Sequence, residues 1–258
     1  MTLSPHRIES LKSAFATDGY AVIPNVVPKQ PLAQLRDELF GAFALASQAG
    51  ELFSGGGMFS GHLNCFPGAP SRFVYQELSD AGIFDLVREL SPVALRRPNI
   101  GCNWNLPSSG QQNFHIDGYA SSAFMIVNVA AVDTDLVNGA MEASPGTHLR
   151  DYKYWEFVLA RRPSLRVQLN AGDVVIRTSA LWHRGMPNRS QTPRPMLAFT
   201  WEDGGSELDD PYSAHDGKIR FLQNRYAPTL AGKLRERAFA ALPRVGSGYL
   251  FVRSLLRG

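Results

Sequence analysis

Apolar residues in the first half of the chain recur at helical spacing. Between 30 and 48 they occupy every third or fourth position, as Leu32, Leu35, Leu39 and Phe43. This period places them on one side of a helix, so we predict an amphipathic helix over 30–48. Comparable patterns predict helices over 8–19 and 79–90. Gly19 closes the first of these and is a typical helix stop.

A different pattern begins near residue 98, where short apolar runs alternate with turn residues. The runs are NIGCNWNL, NFHID, AFMIVNVAAVD, GAMEASPG, LRVQLNAGDVVIRT and RPMLAFTWED. Successive strands without intervening helices predict an antiparallel sandwich or barrel. We therefore predict a mainly β protein with a β core over about 98–203 and helical N-terminal and C-terminal parts. The whole chain, 1–258, is interpreted as a single domain.

The segment 50–70 follows neither pattern, because it is rich in glycine, serine and proline. Long segments of this kind are typically irregular and often functional. We expect 50–70 to be an irregular loop and a candidate for a mobile lid.

The composition, with 44% hydrophobic and 19% charged residues, is that of a globular protein. Two cysteines, Cys65 and Cys102, are too few for a four-thiolate zinc site or a disulfide scaffold. No segment resembles a signal peptide or a membrane span, which predicts a cytoplasmic protein without a membrane partner. The net charge of +3, without a strong basic patch, argues against a nucleic-acid partner.

The strongest chemical signal is the pair His115 and Asp117 in QQNFHIDGYA. Residues two apart in a strand point to the same side, so both side chains can face the interior of a barrel. An imidazole and a carboxylate are two thirds of a facial iron(II) site, which needs one more histidine from elsewhere. Among the other five histidines, His183 is the best candidate, because it begins a strand after the buried run at 174–176.

Arg194 follows His183 by eleven residues, at the expected start of the next strand. If that strand returns antiparallel, the guanidinium comes back to the metal site. There it can hold a carboxylate in a bidentate fork, which suits the far carboxylate of a dicarboxylic co-substrate.

These motifs together resemble the phytanoyl-CoA dioxygenase family of iron(II)- and 2-oxoglutarate-dependent oxygenases, over about residues 8–203. The matching segments are FATDGYAVIP at 15–24, HID at 115–117, NGA at 138–140, PGTH at 145–148, GD at 172–173, and the positions of His183, Asn188, Ser190 and Arg194. Ile116 and Met141 depart from the residues common in the family, which are glutamine and threonine. The resemblance implies a double-stranded β-helix core, a cupin-like jelly roll.

The family's functional residues carry over to positions that match its motifs. The implied Fe(II) ligands are His115, Asp117 and His183. Arg194 is implied to bind the distal carboxylate of 2-oxoglutarate, with Ser190 as a helper. Two further co-substrate contacts are implied for Gln112 and Asn128. Because halogenases of the superfamily have glycine or alanine in place of Asp117, its presence argues against halogenation.

The resemblance implies an enzyme that uses O₂ and 2-oxoglutarate to oxidise a C–H bond of a small organic molecule, most simply a secondary-metabolite hydroxylase. Desaturation, cyclisation or epimerisation with the same cofactors are open alternatives. A metal-binding β-barrel protein without turnover and a zinc hydrolase are alternatives of other classes. Candidate substrate contacts are Arg72, Asn103 and Trp182. The sequence carries no prediction about oligomeric state.

Overall fold

The computed structural model describes residues 3–50, 52, 61–222 and 230–256. The helices are α1 (Pro5–Asp18), α2 (Lys29–Gln48), α3 (Arg72–Asp80), α4 (Ile83–Leu90), α5 (Tyr154–Ala160), α6 (Leu230–Ala241) and α7 (Pro243–Leu256). The strands are β1 (Tyr20–Ile23), β2 (His62–Phe66), β3 (Asn99–Asn105), β4 (Met125–Ala130), β5 (Glu142–Ala143), β6 (Leu165–Arg166), β7 (Val174–Thr178), β8 (His183–Arg184), β9 (Arg194–Thr200) and β10 (Arg220–Phe221). Within these ranges no helix is both long and apolar enough to cross a membrane.

Two antiparallel sheets form the β core. The larger has the strand order β1-β7-β4-β9-β3-β2-β10, and the smaller has the order β6-β5-β8. Strands distant in sequence are neighbours, since β9 pairs with both β3 and β4. The predicted combination of antiparallel strands with flanking helices is confirmed.

The first helix illustrates how local sequence sets an element's ends. The Ser4 hydroxyl accepts a hydrogen bond from the backbone N–H of Arg7 at 3.3 Å, which caps the N-terminus. Gly19 ends the helix at φ 80°, a conformation that favours glycine. A β-carbon at Gly19 would lie 2.6 Å from the His148 ring, so the position also lacks space for a side chain.

Three sequence predictions about elements are wrong. The single helix over 79–90 is two helices, α3 and α4, because Gly82 takes a left-handed conformation at φ 77° between them. The segment 50–70 is not irregular throughout, since β2 pairs with β3 inside it, whereas 53–60 lie outside the described residues. The β core is interrupted by α5, and the NFHID run contributes one isolated bridge rather than a strand.

The two faces of the larger sheet differ in chemistry. One face packs against the helices through a continuous apolar core that includes Trp104, Phe199 and Ile176, with Leu35 and Leu39 from α2. Because neighbouring residues of a strand face opposite ways, the other face carries the alternate residues. That inner face has a smaller apolar cluster with Val175 and Met196 as members, and it also bears polar side chains. These polar groups build the site.

Candidate functional site

Three potential metal ligands converge beside the smaller sheet. His115 and His183 form an antiparallel bridge, in which each backbone N–H donates to the other's carbonyl at 2.9 and 3.0 Å. The backbone N–H of Asp117 donates to Ser179 O at 2.8 Å, which ties the carboxylate to the β7–β8 connection. As a result, ligand atoms of His115, Asp117 and His183 all lie within 4.8 Å of one another. Two imidazoles and one carboxylate can hold a divalent transition metal.

Backbone hydrogen bonds set the tautomers of both histidines. The Nδ1 atom of His115 lies 2.9 Å from Asn113 O, and Nδ1 of His183 lies 2.9 Å from Leu181 O. A carbonyl oxygen can only accept, so each Nδ1 carries the proton. Each Nε2 then has its lone pair free, and these atoms lie 3.9 and 3.5 Å from the Asp117 carboxylate. This arrangement orients metal-binding histidines.

The charge states at the cluster also suit a cation. Burial and the Arg177 cation lower the pKa of His183 to about 3, so the ring is neutral at pH 7. Burial opposes the charge of Asp117, but His183, Arg177 and His115 together hold the pKa of its carboxyl well below the usual range. His183 and Asp117 therefore offer a neutral imidazole and an ionised carboxylate to a cation without a change of protonation.

Arg177 is a site residue that the sequence reasoning missed. It lies in β7, where all five residues are buried, and only 7% of it is exposed. Its Nη1 donates to Asp117 Oδ2 at 2.8 Å and its Nε donates to Asn128 Oδ1 at 3.1 Å. The available signal was an arginine in the apolar run VVIRT, since charged residues are seldom fully buried unless paired.

Arg194 forms a candidate anion site on the same inner face. It is 7% exposed, and Nη2 donates to Gly139 O at 3.3 Å, whereas its buried Nε has no hydrogen-bond partner among the described residues. Asn105 is directly opposite it on β3, and no residue in the described part of the chain hydrogen-bonds the buried Oδ1 of Asn105. Burial lowers the pKa of Arg194 to about 10. A buried cation with an unused donor is satisfied by a carboxylate.

The connection from His183 to Arg194 is held by Asn188, which is fully buried. Its amide nitrogen donates to Asn105 O at 3.0 Å and to Thr192 O at 2.8 Å. Its carbonyl oxygen accepts from the hydroxyl of Ser190 at 2.7 Å. Ser190 is therefore engaged in this turn, and it supports Arg194 through the loop.

Gln112 and Asn128 both reach the site but use their amides within the protein. The Gln112 Oε1 atom accepts from Gly185 N at 2.7 Å. The Asn128 Oδ1 atom accepts from Arg177, and its Nδ2 donates to Leu197 O at 3.4 Å. Each keeps N–H capacity, but their first role is to hold the surrounding structure.

The three candidate substrate contacts lie in different places. Trp182 is buried and stacks on Phe157 with ring centroids 4.2 Å apart. Arg72 pairs with Asp210 at 2.7 Å on the surface. Asn103 lies on the inner face of β3, two residues before Asn105, and hydrogen-bonds Asn64 at 2.8 Å. Asn103 shares the site's face, and the substrate contacts at all three residues remain predictions.

His62 is a second residue that the sequence reasoning missed, because it was assigned to an irregular loop. It lies in β2 opposite Asn105, and its Nε2 donates to Gly110 O at 2.9 Å. Burial lowers the pKa of His62 to about 4, and the charges of Arg194 and His115 act in the same direction. A neutral imidazole therefore lies beside Asn105, the residue that pairs with Arg194.

The low pKa of His62 predicts a pH dependence of stability. In the unfolded chain the His62 imidazole takes up a proton near pH 6.5, whereas in the folded protein it stays neutral down to about pH 4. Stability is therefore lost as the pH falls through this window. At pH 5 the low pKa of His62 lowers the free energy of unfolding by about 2 kcal/mol, which corresponds to a few degrees in Tm. We expect His62→Gln to reduce the fall in Tm of metal-free protein between pH 7 and pH 5. His6→Gln, at an exposed residue of α1, is the control, and equal slopes in all three proteins would contradict the assignment.

Several solved structures share this fold. The match with the alpha ketoglutarate dependent carbocyclase SnoK from nogalamycin biosynthesis has 17% identity and a TM-score of 0.59, and covers 77% of this chain and 83% of SnoK. The epimerase SnoN, in complex with Fe3+, alpha ketoglutarate and nogalamycin RO, is 18% identical over 87% of this chain and 98% of its own, with a TM-score of 0.57. EctD from S. alaskensis, with bound Fe, is 16% identical over 77% and 76% of the two chains, with a TM-score of 0.55.

The family assignment comes from the sequence. A family model described as Phytanoyl-CoA dioxygenase (PhyH) matches residues 15–196, a span that includes the metal cluster and Arg194. Members of this family are non-haem iron enzymes that use Fe(II), 2-oxoglutarate and O₂. The two histidines, the ionised carboxylate and the buried arginine, whose Nε has no partner among the described residues, fit such a metal and such a dicarboxylate. The chain therefore belongs to the phytanoyl-CoA dioxygenase family and is a non-haem iron, 2-oxoglutarate-dependent enzyme.

Proposed function

We propose that His115, Asp117 and His183 hold Fe(II), and that Arg194 binds the distal carboxylate of 2-oxoglutarate. The observation that carries this is the pairing of a His-Asp-His cluster within 4.8 Å with a buried arginine whose Nε lacks a partner among the described residues. We further propose that the two sheets form a double-stranded β-helix, with the site between them, and that 1–258 act as one domain in the cytoplasm.

The chain's own residues have separable tasks in this proposal. The hydrogen bonds from Nδ1 to backbone carbonyls keep both histidine rings oriented before the metal binds. The two side chains therefore need little further ordering when it does. Arg194 orients the co-substrate by its far end, and the apolar cluster with Val175 and Met196 lies on the same inner face. Iron and 2-oxoglutarate supply the oxidation chemistry once bound, and the protein supplies position and shielding.

The proposed substrate is a small organic molecule of secondary metabolism, which undergoes hydroxylation at a C–H bond. Two neighbours in fold act in nogalamycin biosynthesis, one as a carbocyclase and one as an epimerase. Ring closure and epimerisation are therefore the leading alternatives to hydroxylation. Asn64 and Asn103, exposed on the inner face, present amides to a substrate at the open side of the site.

Two other classes of function are less consistent with the residues. A zinc hydrolase could use the same three ligands. It would leave unexplained a buried arginine whose Nε finds no partner within the described ranges. A metal-binding protein without turnover would have no need of a second anion site beside the metal.

The direct test is an anaerobic absorption spectrum of the purified protein with Fe(II) and then 2-oxoglutarate. Chelation of iron by a keto acid gives a weak charge-transfer band near ~500 nm in a site with open positions. We expect this band in the wild type and in His215→Ala, which changes an exposed histidine outside the cluster, and its loss in His183→Ala. Absence of the band in folded, iron-loaded wild type would contradict the proposal.

A further inference from the structure

The guanidinium of Arg177 has a position that the proposed function leaves unexplained. It is 7% exposed within a strand whose other residues are Val174, Val175, Ile176 and Thr178. Burying a cation there costs more than burying an aliphatic side chain of similar size. The cost suggests that the contact with Asp117 has a use beyond holding the fold together.

The contacts of Arg177 are directed at one oxygen of one metal ligand. Nη1 donates to Oδ2 of Asp117 at 2.8 Å, and Oδ2 is also the oxygen that lies 3.5 Å from His183 Nε2. On the other side, Asn128 accepts from Nε at 3.1 Å and fixes the plane of the guanidinium. No described residue other than Arg177 donates a side-chain hydrogen bond to the Asp117 carboxylate.

The contact between Arg177 and Asp117 matters because iron has a limited number of coordination positions. A six-coordinate iron with two imidazoles and a carboxylate bound through one oxygen has three positions left, enough for a bidentate keto acid and O₂. A carboxylate bound through both oxygens leaves only two. Asp and Glu carboxylates bind metals in either mode, so something must select between them.

Resting on the function proposed above, we propose that Arg177 is a positioning residue that keeps Asp117 a one-oxygen ligand and so reserves an iron position for the co-substrate. The guanidinium occupies Oδ2 by a charge-assisted hydrogen bond and leaves Oδ1 for the metal. Asn128 holds the guanidinium in place for this task. The positive charge also offsets part of the ligand's negative charge, so removing it does not weaken the attraction between iron and Asp117.

The proposal predicts a split between two affinities in Arg177→Gln. Fe(II) affinity, measured by competition with a chromogenic chelator, should stay within about threefold of the wild type, because all three ligands remain. The Kd of 2-oxoglutarate, from anaerobic titration of the charge-transfer band, should rise about tenfold or more, because both carboxylate oxygens can now occupy iron. Arg177→Lys keeps a cationic donor and should recover most of the 2-oxoglutarate affinity.

Arg184→Gln is the matched control. It also removes a guanidinium–carboxylate contact, with Glu142 at 2.7 Å. Arg184 follows His183 in β8, but its guanidinium lies over the Phe114 ring and, among the described residues, makes no hydrogen bond or ion pair with the three ligands. Both affinities should be unchanged in this variant. Thermal unfolding of metal-free protein identifies any variant that fails to fold. If Arg177→Gln does not fold, Arg177→Met, which has a similar length, replaces it as the variant without a cationic donor, and the same split between the two affinities is expected.

The outcomes separate this proposal from the function on which it rests. If the wild type forms no band, the proposed function fails. If the wild type forms the band and Arg177→Gln binds 2-oxoglutarate equally well, Arg177 has no such role. If Arg177→Gln loses iron and co-substrate in parallel, Arg177 retains the metal rather than reserving a position, and the proposal is again overturned.

Discussion

Asp117→Asn is expected to abolish succinate formation from 2-oxoglutarate, even with stoichiometric Fe(II). The change removes the only carboxylate of the His115, Asp117 and His183 cluster. Loss of the charged ligand itself should lower the Fe(II) affinity on the order of 100-fold or more. Chelator competition measures the affinity, and succinate release measures the activity.

Asparagine is preferred to alanine at this position because its carbonyl still accepts from Arg177. Alanine would leave the buried guanidinium without its acceptor and would destabilise the protein. A loss of iron binding could then not be distinguished from unfolding. Asp210→Asn is the matched control, since Asp210 pairs with Arg72 at 2.7 Å on the surface. Wild-type iron affinity in Asp117→Asn would show that the metal site lies elsewhere.

Arg194→Met is expected to weaken 2-oxoglutarate binding by about 100-fold, which corresponds to about 3 kcal/mol for a buried charge pair that loses one partner. Methionine fills similar space without a donor for the distal carboxylate. The metal-free protein should be at least as stable as the wild type, because a buried cation with an unpaired Nε has been replaced by an apolar side chain. Titration of the charge-transfer band and thermal unfolding measure the two effects.

Pyruvate separates this role from a general effect on the site. It chelates iron through the same keto-acid group but has no distal carboxylate. Its affinity should therefore be equal in wild type and Arg194→Met, and Arg189→Met, at an exposed arginine of the same connection, should change neither ligand. A parallel loss of pyruvate binding in Arg194→Met would assign the arginine to the metal end instead.

The local features of the fold could be predicted from the sequence because they depend on neighbours along the chain. The period of Leu32, Leu35 and Leu39 identified α2, and Gly19 identified the end of α1. The same local reasoning failed at 79–90, where a glycine inside a helical pattern divided it, and at His62, where glycines and prolines concealed a strand. At His62 the composition carried less information than the pairing of β2 with the distant strand β3.

The sequence by itself determined the family of this protein, its iron and 2-oxoglutarate chemistry, and the residue types of the site, since the motif spacings carry those. Only the tertiary structure decided what surrounds them. Arg177 meets Asp117 across 60 positions, and His62 faces Asn105 through a strand pair, so neither contact follows from local spacing. Strand register places these groups together, and register depends on the hydrophobic pattern of every strand in the sheet.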